Sequence, residues 1–498
     1  MNISKKFFIG MMVVALLIGG LATGLTMQAM GTTESQDSGE TTETADESED
    51  LTQYEESSAD PHDGEVSDDF QSLDLAMDII EQNFVDEIDR DELMNGAIEG
   101  MVEQLGDPYS EYLDEEMTEQ FNQSLESTFE GIGAEVTKRD DHITIIAPLK
   151  DSPAEKAGIR PNDRVLEVDG ESVQEYTVYE ATSLIRGEKG TDVVLTIDRP
   201  GVEDPIEITI TRDTIPLTTV YSEVMEENGK NVGVLEIRSF GEGTAQEFND
   251  ELLRLENEEN IDGLVIDVRG NPGGLLDSVE RILANFLEAD EPYVQTERRG
   301  EPGEAFYTNG QGHKDYPIAV LINEGSASAS EILAAALKEV TEYEIIGETT
   351  FGKGTVQQAM ELEDGLLKIT VMNWLSPHGN QINEVGVEPT IEVKQPEFFY
   401  LTLIQTDEPL ELDMNNDEIE KAQIMLDGLG YELDRMDGYF DEQTEAAVEQ
   451  FQQDNDLEVT GVIDELTEET LETSILDAVE DPAHDNQLQR ALEEVTSN

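Results

Sequence analysis

The sequence has no cysteine, a single tryptophan, five histidines and only 28 Lys and Arg among its 498 residues. Each shortage removes a class of chemistry. Without cysteine there is no disulfide framework, no thiolate nucleophile, no Cys-ligated zinc and no Cys-anchored lipid. With no basic run longer than Lys5-Lys6 there is no patch to hold a phosphate backbone, and nucleic acid is excluded as a partner. Against the 28 cationic residues stand 115 Asp and Glu, a formal charge of −87. The acidic loops do not have calcium spacing: in 413–424, Glu418 stands where the turn needs Gly and Ile424 where the ion needs a bidentate Glu. No metal and no cofactor is expected. The charge reads instead as a halophilic surface, with counterions of a salty or alkaline medium screening the repulsion.

What is present suffices for a large core. Apolar residues make up 37% and glycine adds 40 residues, and the length predicts about two to four domains. Lys5 and Lys6 precede an uncharged stretch at 7–33 with an apolar centre at 7–25. Positive charge before an apolar segment keeps the N-terminus in the cytoplasm, so 1–30 reads as a single-pass cell-membrane anchor or a signal segment. Everything downstream is then extracytoplasmic. Residues 31–69 hold 15 acidic residues and no Lys or Arg, a disordered tether by composition. Helical periodicity starts at Phe70 and runs through Leu73, Met77, Ile80, Phe84, Leu93, Ala97 and Met101, giving a helical region over 70–127.

Residues 128–214 alternate apolar and polar as strands do, at Ile143, Ile145 and Ile146, at Val165, Leu166 and Val168, and at Val193, Val194, Leu195 and Ile197. Ser152-Pro153-Ala154 to Gly158 is a short helix with a glycine stop. In Gly131-Ile132-Gly133-Ala134, two glycines free successive amides to converge on one anion, such as a terminal carboxylate. With Asn162-Asp163 and Gly170, this stretch resembles a PDZ domain. The resemblance implies docking of an extended C-terminal peptide by strand addition, its carboxylate held at Gly131, Ile132, Gly133 and Ala134.

Over 215–400 the pattern is strand, loop and helix in alternation, which predicts a largely parallel sheet with ligands beyond the carboxyl ends of its strands. The β run 263–269 leads into Gly270-Asn271-Pro272-Gly273-Gly274. The run 317–322 leads into Asn323 to Ser328 and a helix at 329–340. Strands at 344–347 and 355–360 flank Thr350-Phe351-Gly352-Lys353-Gly354. Ser328 opens a helix, where free amides and the dipole favour developing negative charge. The Ala329 amide is one candidate oxyanion donor, and Gly273 or Gly274 the second.

A serine nucleophile needs a base. His62 and His484 lie in acidic tails, His142 in the PDZ-like stretch, and His313 and His378 in polar turns, so a Ser-His-Asp triad is poorly supported. Lys353 is the better base, provided burial lowers its pKa toward ambient pH. That requires an apolar shell, for which Phe351 and Leu333 are the candidates. Gln357, four residues on, is placed to hold the amine. On the residues alone, Ser326 and Ser330 rival Ser328 as nucleophile.

The run Gly325-Ser326-Ala327-Ser328-Ala329-Ser330-Glu331, with Lys353 twenty-five residues after Ser328 in Gly352-Lys353-Gly354-Thr355-Val356-Gln357, resembles the carboxyl-terminal processing proteases. The resemblance implies an α/β multidomain fold: a ClpP/crotonase-like protease core at 215–400, a PDZ β-domain before it and a small all-α C-terminal domain. It also implies Ser328 as nucleophile, Lys353 as general base, Gln357 as its support, and a homodimer through the N-terminal helices.

Residues 401–498 carry 29 acidic and 3 basic residues. Within them, 410–475 holds three helical patterns separated by turns at Asp437-Gly438-Tyr439-Phe440-Asp441 and Thr460-Gly461-Val462-Ile463-Asp464. This resembles the small peptidoglycan-binding domain, which implies the cell wall as a partner, and 476–498 reads as an acidic tail. The expected function is that of an extracytoplasmic serine endopeptidase with a Ser-Lys dyad, acting on proteins and peptides with accessible C-termini. A non-catalytic wall adaptor that binds peptidoglycan and protein tails is the alternative. An acyl-CoA enzyme of the crotonase type shares the oxyanion logic but would lack CoA outside the cell.

Overall fold

A computed structural model describes residues 68–497, apart from 126–127, 140–141, 150–151, 175, 200–201, 203–204, 311, 363–364 and 407. The apolar segment at 7–25 and nearly all of the tether lie outside the described residues. Among the described residues no helix is long and apolar enough to cross a membrane. The chain divides into two units, one of residues up to 125 with 296–303 and 355–374, the other of 126–295, 304–354 and 375–498.

In the first unit the helices Asp68–Asn83 and Arg90–Glu103 cover much of the segment expected to be helical. Of its apolar series Met77 is buried, while Ile80, Met101 and Phe84, just past the first helix, are exposed. Asp89 caps the second, accepting from the Asp91 amide at 2.9 Å. Arg90 reaches back to Asp78 at 3.0 Å and Glu81 at 2.8 Å. After the break at Asp107-Pro108, the short strand Glu111–Leu113 pairs antiparallel with Gly365–Leu375, which also pairs with Thr355–Leu362. Buried Lys368 is matched by Glu111 and lies 5.5 Å from the centre of the Phe121 ring.

The second unit begins with an antiparallel sheet in the order Ala134–Arg139, His142–Pro148, Arg164–Val168, Asp192–Asp198, Ile206–Thr211. Ile143, Ile145, Val165, Val193 and Leu195 alternate into its core, as period-two strands must. The helix Val178–Ile185 closes it, started by a capping box. The Thr177 amide donates to Glu180 Oε2 at 2.7 Å, and the Glu180 amide to Thr177 Oγ1 at 3.2 Å.

The protease-like region is a six-stranded sheet ordered β1 (Val220–Glu227), β2 (Lys230–Ile237), β3 (Gly263–Asp267), β4 (Ile318–Ile322), β5 (Glu344–Gly347) and β6 (Ile391–Glu392). β1 runs antiparallel to β2, and the rest are parallel. Every residue of β3 and β4 is buried, which is why these strands read as continuous apolar runs rather than alternating ones. The helix α1 (Ala329–Val340) follows β4 with an almost unbroken buried face.

The helices Asp417–Gly428, Glu442–Asp454 and Glu465–Glu480 pack around Leu410, Ile419, Phe440, Phe451 and Leu471. This module recruits Phe398 and Ile404, which precede the expected start at 410. Its last helix also continues to Glu480, past the expected end at 475. The expectation of an acidic tail at 476–498 is overturned. The helix α2 (Asn486–Thr496) lays Leu488, Ala491, Leu492 and Val495 on Val232, Val234, Val265, Ala319, Leu321 and Ile346 of the parallel sheet. Average charge over the terminus concealed a three- and four-residue apolar spacing that a short window reveals.

Candidate active site

The carboxyl ends of β3 and β4 lie side by side, and each runs into a glycine-bearing loop. Asn271 sews the two loops together. Its side-chain amide donates to the Ile237 carbonyl at 2.7 Å and its side-chain oxygen accepts from the Gly273 amide at 2.8 Å. Its own carbonyl accepts from the Ala327 amide at 3.0 Å and from Ser330 Oγ at 2.9 Å. Ser326 Oγ donates to the Val268 carbonyl at 2.8 Å. Two of the three rival serines thus commit their hydroxyls to backbone carbonyls, and among the described residues Ser328 makes no such bond.

Ser328 stands at φ 54°, ψ −113°, a region that a residue with a Cβ occupies only at a cost. It immediately precedes α1, and Ala329 at the first helical position has no preceding turn to receive its amide. Gly273 lies against this point. A Cβ on it would sit 2.8 Å from Ser328 Cβ and 3.0 Å from the Ala329 nitrogen, and its φ is +108°. Only glycine lets the loop come this close. One expectation needs correcting: the Gly273 amide is already taken by Asn271. Of the two glycines, Gly274 is the one whose amide has no acceptor among the described residues.

The residue that sequence reasoning missed is Glu331. It is fully buried three positions into α1, and its carboxylate accepts four hydrogen bonds. Oε2 takes the amides of Ser328 and Lys353, each at 2.8 Å. Oε1 takes Thr350 Oγ1 at 2.6 Å and the Gly352 amide at 2.7 Å. Burial pushes its carboxyl up, and the four donors pull against that without cancelling it. The Ser-x-x-Glu spacing of a capping box was the available signal.

Lys353 is 5% exposed. Its flanking glycines are required by packing: a Cβ on Gly354 would lie 2.3 Å from the Asn383 nitrogen, and one on Gly352 3.1 Å from the Gly386 nitrogen. Of the two expected shell residues, Leu333 is buried but Phe351 is 55% exposed, because the turn that buries Lys353 faces its neighbour outward. His313 and His378 sit at the surface against Glu291 and Glu339. Gln357, in the first unit, is buried, and its Nε2 donates to Thr355 Oγ1 at 2.8 Å and Thr370 Oγ1 at 3.1 Å.

The second predicted site is the loop at 131–134. The Ile132 and Gly133 carbonyls accept from the Ala154 and Leu149 amides at 2.8 and 3.0 Å. In a trans peptide the N–H points opposite its C=O, so the amides of Gly133 and Ala134 face the other way, outward from those contacts. Gly133 is at φ +72°, with a hypothetical Cβ only 2.6 Å from Ser152 Cβ. A narrow cleft of about 60 Å³ opens beside it, lined by Ile132, Gly133, Ala134, Val136, Ile185 and Arg186. The Arg186 guanidinium lies 5.0 Å from the centre of the Phe129 ring.

Residues 231–393 match Peptidase family S41, 144–199 a PDZ domain, and 415–471 a putative peptidoglycan binding domain. Residues 16–117 match the N-terminal domain of the activating protease CtpB. The carboxy-terminal processing protease CtpB of Bacillus subtilis is 46% identical over 427 residues, covering 86% of this chain and 89% of the relative. The chain belongs to peptidase family S41. It is a carboxy-terminal processing serine protease, and the adaptor alternative falls. The protease is also 39% identical to the carboxy-terminal processing protease CtpA of B. subtilis, over 85% of this chain and 90% of that one. A probable CtpA-like serine protease of Staphylococcus epidermidis is 40% identical over 76% of each chain. The fold class expected from the motifs stands: an α/β S41 core, a PDZ domain and a helical C-terminal module.

Proposed function

We propose that Ser328 and Lys353 are the catalytic dyad of this protease, with the amides of Ala329 and Gly274 as the oxyanion donors. The observation that carries this reading is Glu331 Oε2, which receives the amides of both residues and so fixes their backbones to one point. Lys353 takes the Ser328 proton as Oγ bonds to the scissile carbonyl carbon, and returns it to the departing amine as the C–N bond breaks. Water then hydrolyses the acyl-enzyme by the reverse proton path. Developing negative charge on the carbonyl oxygen meets preorganised N–H donors at the start of α1, which is worth more than the same bonds in water. Gln357 is retained as the family-implied support of the lysine.

Substrate C-termini dock at 131–134, where outward amides meet an apolar cleft suited to an extended peptide. The helical module at 410–475 holds peptidoglycan. The segment at 1–30 exports the chain and anchors it in the cell membrane, and the N-terminal helices dimerise. The deciding experiment incubates an unfolded protein with wild type, Ser328→Ala and Lys353→Ala. Cleavage by wild type alone is expected, and equal cleavage by all three removes the dyad. Fractionation of cells tests the anchor, and pull-down on purified wall tests the helical module.

A further inference from the structure

The last helix ends in the core, and its first turn is wired to the loop beside Ser328. Asp485 caps α2, its Oδ1 accepting from the Leu488 amide at 2.9 Å. The same carboxylate takes a two-pronged contact from Arg269, Nη1 to Oδ1 at 3.0 Å and Nη2 to Oδ2 at 2.8 Å. Gln395 Nε2 adds a third side-chain bond to Oδ1 at 2.7 Å. Arg269 is itself spread between this carboxylate, Asp267 at 2.6 Å and Gln487 Oε1 at 3.1 Å. Burial works against the Asp485 charge, yet Arg269, the Leu488 amide and Gln395 together outweigh it and hold the carboxyl below its usual value. A fork of this kind fixes orientation as well as charge.

Arg269 is the residue immediately before the loop at 270–274. From it the path is short: the Gly270 amide donates to Asn323 Oδ1 at 2.8 Å, and Asn271 grips both Gly273 and the serine loop. One residue the other way, His484 stacks edge-on against Phe398, 6.2 Å between centres, in the core of the helical module. Asp485 therefore sits at the junction of module and protease. Nothing in the sequence distance of 216 residues between Arg269 and Asp485 foretells the pair.

We infer that Asp485 is a positioning residue of the protease, holding Arg269 and through it the loop that supplies the second oxyanion donor. The inference rests on the proposal that Ser328 and this loop form the active site. Removing the carboxylate leaves Arg269 only Asp267 and the neutral Gln487 Oε1, and the loop loses its charged outer anchor while the substrate cleft at 131–134 is untouched. The loss falls on the chemical step rather than on capture.

The test uses the full chain with Asp485→Asn, Arg269→Lys and Glu493→Gln, an exposed residue of the same helix. Each is assayed for kcat and KM on a peptide and titrated by a fluorophosphonate that labels Ser328. For Asp485→Asn we expect kcat per labelled site to drop at least tenfold with KM within threefold, and Arg269→Lys to fall between it and wild type. Glu493→Gln stays at wild type. An unchanged kcat per labelled site, with only the labelled fraction reduced, overturns the inference in favour of a purely structural helix. Where Asp485→Asn fails to fold, Arg269→Lys alone decides by the same measure. Wild-type activity in Ser328→Ala would instead sink the site assignment, a separately visible failure.

Discussion

Ser328 and Lys353 donate their backbone amides to the same oxygen of Glu331, at 2.8 Å each. The two residues come from different strand-to-helix and strand-to-strand connections, and one buried carboxylate makes them neighbours. That arrangement explains how an exposed-looking Gly-Lys-Gly turn becomes a fixed part of a site. Each carboxylate oxygen already has two donors, so the ion is fully hydrogen-bonded and a proton on it must displace one of the four.

Replacing Glu331 with Gln preserves shape and removes this property. The new NH2 faces two donors, leaving both without an acceptor at about 1–3 kcal/mol each. Glu331→Gln is expected to lower the melting temperature and to cut kcat at least a hundredfold. Activity within twofold of wild type would show that the carboxylate is incidental.

Acid should silence the enzyme before it unfolds. Burial sets the Glu331 carboxyl above its ordinary 4.5, so the folded protein takes up this proton at a pH where the unfolded chain has not. By linkage that uptake does not destabilise the fold, although it displaces one of four donors. Asp485 is shifted the other way, and its stabilisation is lost only as pH falls below the ordinary 3.8 of an aspartate. The acid limb of kcat is therefore expected above pH 4.5, with far-UV circular dichroism unchanged through it. A limb that coincides with unfolding contradicts the assignment.

Much of this was legible because parallel strands advertise themselves. Val265 and Ile266 in β3, or Val320 and Leu321 in β4, form apolar runs bounded by glycine, and a helix pattern follows each. The alternating strands of the PDZ domain read equally well. The hairpin-like β1 and β2 were missed, since Val220 to Ile237 mixes acidic residues on a half-exposed sheet edge with buried ones. α2 was hidden by charge, and Glu331 by its type: one more acid among 115 carries no mark of burial. Its four partners are assembled only by folding, from Ser328, Thr350, Gly352 and Lys353.

Gly273 tests the close approach of the two loops. An added methyl group would sit 2.8 Å from Ser328 Cβ and from the Ala327 carbonyl oxygen, closer than real contacts allow. Gly273→Ala should push the loop away from the Ala329 amide and lower kcat by about 10²-fold or more, the usual cost of losing an oxyanion donor. A kcat within threefold of wild type would mean that the loop has slack.

Strain at the nucleophile has its own signature. Ser328 at φ 54°, ψ −113° carries a Cβ that glycine lacks, at a cost of about 1–3 kcal/mol partly offset by the greater freedom of glycine when unfolded. Both Ser328→Ala and Ser328→Gly should be inactive, but the glycine variant should melt higher than the alanine one. The reverse order would show that surrounding contacts relax the backbone.

The charge of −87 makes a prediction independent of the site. Acidic residues outnumber basic ones about fourfold, so most carboxylates have no cation to face. Mutual repulsion then opposes the compact state over a distance set by salt, about 30 Å at 0.01 M and 3 Å at 1 M. Exposed pairs such as Arg281 with Asp277, 3.5 Å apart, are worth little at any ionic strength. Relief of the repulsion therefore outweighs the weakening of ion pairs as salt is added, and the two act in opposite directions. The melting temperature should rise steadily from low to molar sodium chloride, and activity on an uncharged peptide should rise with it. A protein held together by its salt bridges would weaken over the same range, and a flat response would mean that the carboxylates are spaced widely enough for water alone to screen them.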